Sequence, residues 1–97
     1  MGLDFAIDQL YATRWSTLDT GDCERHTDGR VYPSIERVRR EFDSAGAELT
    51  ITHVQLFDCY RAEWTGGEGG SVVGQSEVEA AVYALAQFRR AAAVQPA

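Results

Sequence analysis

The chain contains no lysine, and its nine basic residues are all arginine, set against fifteen acidic ones for a formal net charge of −6. Nucleic acid and anionic membrane both select clustered positive charge, so this balance argues against either as a partner. Cysteine is scarce as well. Cys23 and Cys59 are the only two, too few for the disulfide framework of a small secreted domain. No apolar run approaches the roughly 18 residues that a membrane helix needs, and Asp4 and Asp8 interrupt the apolar positions where a signal peptide would be hydrophobic. These absences predict a cytoplasmic protein with reduced thiols. The arginine-only basic set and the alanine-rich tail suggest a GC-rich bacterial genome.

What remains is 97 residues, 44% hydrophobic and 25% charged, which is one small domain over 1–97 with no room for a second. A chain of this size buries only about 60 to 65% of its unfolded surface, so its ten aromatic residues carry much of the core. Residues 1–18 place Leu3, Ile7, Leu10, Tyr11, Trp15 and Leu18 at helical spacing, which predicts an amphipathic N-terminal helix. Thr13, Trp15, Ser16 and Thr17 are weak helix formers, so its second half can fray. Residues 19–31, rich in Asp, Gly and Thr, read as a polar loop.

Pro33 and Ser34 open a second helix. Ile35, Val38, Phe42 and Ala45 form its apolar stripe, and Gly46 stands where a left-handed cap is needed. Its outer face offers three charge pairs at i,i+4: Glu36 with Arg40, Arg37 with Glu41, and Arg39 with Asp43. From Glu48 the period changes to two. Residues 48–54 and 59–65 read as strands, and a turn at Gln55 to Phe57 sets His53 opposite Cys59. After a glycine-rich loop, Ser71 to Val73 suffices for a short third strand. Ser76 and Glu79 form a capping box for a last helix with Val78, Ala81, Val82, Leu85 and Phe88 on one stripe. The expected fold is α+β, order α-α-β-β-β-α: an antiparallel three-stranded sheet with helices packed on one face.

From Pro33 to Ala92 this α-β-β-β-α order resembles the double-stranded-RNA-binding domain. Gly74-Gln75-Ser76-Glu77-Val78-Glu79-Ala80-Ala81 stands where that family opens its second helix with glycine, serine, a lysine pair and alanines. The resemblance implies the fold of the 33–93 core. It does not carry the activity across, because Glu77 and Glu79 replace the lysines that would grip phosphate. The same stretch is similar to the strand-to-helix corner of HicB-type antitoxins. Both are shared architecture, which does not set function.

Several residues could carry chemistry. Cys23, His26, His53 and Cys59 together have the composition of a Cys2His2 zinc site; their plain reading is two loop residues and two strand residues. Cys59 with His53 as its base is the candidate catalytic pair, with Asp22 and Glu24 near His26 as the alternative. No nucleophile elbow accompanies either. The glycine-rich loop is no phosphate cradle, because a strand intervenes before the next helix and Glu68 lies within it. A Cys23–Cys59 disulfide is disfavoured by a reducing cytosol. For protein contact the candidates are Tyr11 and Trp15 on the first helix and Arg37 and Arg40 on the second. The sequence thus predicts a non-catalytic, self-associating interaction module, with a zinc-stabilised domain and a small enzyme as the competing readings.

Overall fold

A computed structural model describes residues 2–15, 22–66 and 69–93. Helix α1 spans Leu3–Tyr11, strands β1 and β2 span Cys23–Arg25 and Val31–Pro33, and helix α2 spans Ile35–Ser44. Strands β3 (Glu48–Val54), β4 (Cys59–Thr65) and β5 (Gly70–Gly74) follow, and helix α3 (Glu77–Ala93) is the last element among the described residues. The α+β class holds: β3, β4 and β5 form an antiparallel three-stranded sheet in that order, and α2 and α3 pack on it. The hairpin of β1 and β2, a separate two-stranded sheet, is added to the expected order.

Helix α1 ends seven residues before the expected Leu18. Thr13 explains the stop: its hydroxyl donates to the Leu10 carbonyl at 2.6 Å, the local competition that makes threonine a poor helix interior. Arg14 then turns left-handed with φ +64°. Residues 16–18 lie outside the described residues, as do 19–21 of the expected loop. The rest of that loop is ordered by hairpin pairing, with Cys23 opposite Pro33, Glu24 opposite Tyr32 and Arg25 opposite Val31. Asp28-Gly29 makes the turn. Gly29 takes φ +93°, and Asp28 accepts the Arg30 backbone N–H at 3.0 Å, so the pair supplies the left-handed residue and the Asx bond that a tight turn wants.

Ser34 caps α2 as expected, its hydroxyl accepting the Arg37 N–H at 3.2 Å. At the other end Gly46 takes φ +79° and the Ala47 N–H reaches back to the Phe42 carbonyl at 2.9 Å, closing the helix with a Schellman pattern. Ser76 caps α3 through the Glu79 N–H at 3.2 Å. Phe42 is fully buried between Trp64 and Phe88, with ring centroids 5.8 and 4.6 Å away.

Helix α3 is the hub. It touches all three strands of the large sheet, α2 and α1. Ala81, Val82 and Leu85 are buried as the stripe predicts, but Ala80, Ala84 and Ala86 are buried too. The reason is α1, which packs against α3 through Ala6, Ile7 and Leu10. Alanine on that side lets the two backbones approach closely, and α1 thereby extends the core beyond the two helices of the resemblance. Gly74 shows a similar constraint at the sheet: a Cβ there would come within 2.7 Å of the Ala80 backbone nitrogen.

Candidate functional site

The hairpin of β3 and β4 does not have the expected register. Val54 faces Cys59 and His53 faces Tyr60, because the turn uses four residues rather than three. Asp58 adopts a left-handed φ of +48° and donates its backbone N–H to the Gln55 carbonyl at 3.2 Å, a conformation that aspartate tolerates better than most side chains. A shift of one residue moves each side chain relative to its partner. His53 therefore shares a sheet face with Tyr60, their ring centroids 4.8 Å apart, while Cys59 falls on the other alternation. His53 Nε2 lies 3.1 Å from Asp58 Oδ1, and Cys59 is buried. The expected His53–Cys59 pairing is thereby corrected.

The four residues of the zinc reading are dispersed. Cys23 is half-buried on β1, with the Arg37 guanidinium 3.7 Å from its sulfur. His26 begins the β1–β2 turn, where its Nε2 meets Asp4 of α1. Among the described residues, the histidine, cysteine and carboxylate group that does converge is Asp4, His26 and Asp28, with candidate ligand atoms within 4.8 Å of one another. Arg30 already stands among these carboxylates. Its Nε is 2.7 Å from Asp28 and its Nη2 is 3.7 Å from Asp4, and Nη1 meets Asp8. The protein's own cation thus stands against the cluster and offsets part of its negative charge, and the contacts join α1 to the hairpin. The Arg30 backbone N–H, and then its side chain, hold the Asp28 carboxyl below the usual aspartate range, and the Asp28 bond holds Arg30 above its ordinary value. Beside them Tyr32 is pushed up by burial and by the Glu24 charge.

The aromatic candidates for partner contact are engaged within the fold. Tyr11 donates its hydroxyl to the Val31 carbonyl at 2.6 Å and accepts the Val31 N–H at 3.1 Å. Trp15 is 6% exposed and donates its indole N–H to Glu41 at 3.0 Å. Arg37 donates to the same carboxylate oxygen at 3.0 Å and lies 5.7 Å from the indole centre. The i,i+4 pair of Arg37 and Glu41 thus forms as predicted and receives the tryptophan as a third member. Arg40 is more open, its side chain 57% exposed, and it reaches Asp22 rather than Glu36. Arg39 donates to the Leu49 carbonyl of β3 at 2.9 Å.

Sequence reasoning missed the surface the fold leaves open. Leu56 and Phe57, which only link two strands in the sequence, are 85% and 74% exposed at the hairpin tip, and Val73 on β5 is 54% exposed. The available signal was the pair of large apolar residues inside a turn, where polar residues are usual. Both helices that cover the sheet lie on one face, so Thr50, Thr52, Arg61, Glu63, Ser71 and Val73 present the other face to solvent. No helix among the described residues is long and apolar enough to cross a membrane. Among the described residues the architecture is α+β, with one sheet face and two strand edges left uncovered. No protein family, characterised protein or solved structure matches the chain.

Proposed function

We propose that the protein is a non-catalytic protein–protein interaction module that associates with further copies of itself. The observation that supports this reading best is where its apolar surface lies. Most large apolar side chains are used in the core, yet Leu56, Phe57 and Val73 stand out of it on the hairpin tip and the last strand. Large apolar side chains left in solvent while the core is otherwise filled are candidates for a contact surface. The uncovered sheet adds backbone donors and acceptors at its edges, which a partner strand can use.

The test is the mass of the chain by light scattering as its concentration rises through the micromolar range. A mass that climbs from monomer toward dimer is expected. A constant monomer mass up to about 1 mM, a dissociation constant worth only about 4 kcal/mol of binding, would overturn the self-association.

A further inference from the structure

The two edges of the large sheet differ in how they meet an incoming strand. On β3 the Leu49 carbonyl already accepts from Arg39, and the strand begins with Glu48. Strand β5 has the opposite character. Gly70-Ser71-Val72-Val73-Gly74 contains no charge and no proline, and among the described residues no strand pairs with its outer side. Natural sheets block such edges with charged residues, prolines or bulges; this one carries none of the three.

Resting on the self-association reading, we infer that β5 is the seam: two copies pair their β5 strands antiparallel about a two-fold axis, joining two three-stranded sheets into one of six strands. The strand itself selects the register. Antiparallel pairing brings residues of the same sheet face opposite one another, so the two copies can align only residues separated by an even number. Centring the axis on Val72 engages all five residues, with Ser71 opposite Val73 of the second copy and Gly70 opposite Gly74. The terminal glycines add no side chain between the backbones.

Charge agrees with this arrangement. Within one copy Arg61 stands beside Val73 and Glu63 beside Ser71. The two-fold axis therefore places the Arg61 row of one copy in line with the Glu63 row of the other, opposite signs in the same row. The net charge of −6 on each chain opposes association elsewhere, and an uncharged strand is where approach costs least. Five residues extend about 17 Å, a seam only one ordinary strand long. The dimer is accordingly weak and concentration-dependent.

Two double variants test the register. In both, Ser71→Lys and a charged residue at 73 leave the inner face of the sheet untouched. Across the proposed seam, S71K/V73K sets lysine against lysine twice, whereas S71K/V73E sets lysine against glutamate twice. Cross-strand pairs of like charge are unfavourable and of opposite charge favourable. Sedimentation equilibrium of the full chain, with circular dichroism as the control for folding, is expected to show a dimer for wild type, at least a ten-fold weaker one for S71K/V73K, and recovery of wild-type affinity or better for S71K/V73E. Wild type that dimerises with both variants unchanged would overturn the β5 seam while leaving self-association intact. Monomeric wild type would remove both. If S71K/V73K unfolds, S71E/V73E, which sets glutamate against glutamate twice across the seam, takes its place, and a dimer undiminished by it contradicts the seam.

Discussion

At the residue scale, a few positions show contact geometry setting the outcome more strongly than residue type. Gly74 is buried where β5 passes the start of α3, and a Cβ there would meet the Ala80 backbone at 2.7 and 3.0 Å. Neither neighbour is a flexible side chain, so the strand or the helix must move. Gly74→Ala is expected to lower stability by about 1–3 kcal/mol, read as an earlier midpoint in urea unfolding. Asp28 offers a test of the ionic joint. Its carboxyl titrates below the usual aspartate range in the folded protein because it accepts from Arg30. A group with a depressed folded value contributes stability above its unfolded pKa and loses it as pH falls through the folded one. Asp28→Asn is therefore expected to be less stable than wild type at neutral pH, with the gap closing as both are acidified below the ordinary aspartate range. A gap constant across pH would show that the charge plays no part.

At the scale of elements, local chemistry was readable where a side chain completes its own segment. Ser34, Ser76 and Gly46 announced the ends of α2 and α3, and each acts as its spacing implies. Two turns were harder to read. Asp28-Gly29 closes the β1–β2 hairpin, but its flanking strands, Cys23–Arg25 and Val31–Pro33, are too short to show alternation. The β3–β4 turn depended on Asp58 going left-handed, a disfavoured well for a side-chain-bearing residue that the sequence does not announce, and the His53 and Cys59 pairing fell with it. The burial of Ala80, Ala84 and Ala86 was invisible for another reason: it depends on α1 docking from far along the chain. The hairpin tip supplies a prediction at this scale. Leu56 and Phe57 are almost wholly exposed, so L56S/F57S is expected to leave unfolding stability within about 0.5 kcal/mol of wild type. A larger loss would mean that these side chains pack on the domain in solution.

Across the whole molecule, the net charge of −6 is distributed by structure. Arg30 is held among Asp4, Asp8 and Asp28, Arg37 by Glu41, and Arg40 by Asp22. Glu77 and Glu79 occupy the first turn of α3, where the helix dipole favours them. The aromatic surface that suggested a partner site on α1 is folded inward, and what faces outward is the tip of one hairpin and one uncharged strand edge. Self-association through that edge is the central claim, and its signature is the protection of backbone amides. Amide hydrogen exchange of residues 70–74, measured on dilute and on concentrated protein, reads it directly. Protection that rises with concentration within β5 and stays constant along β3 is the predicted result; β5 exchange rates independent of concentration would contradict it.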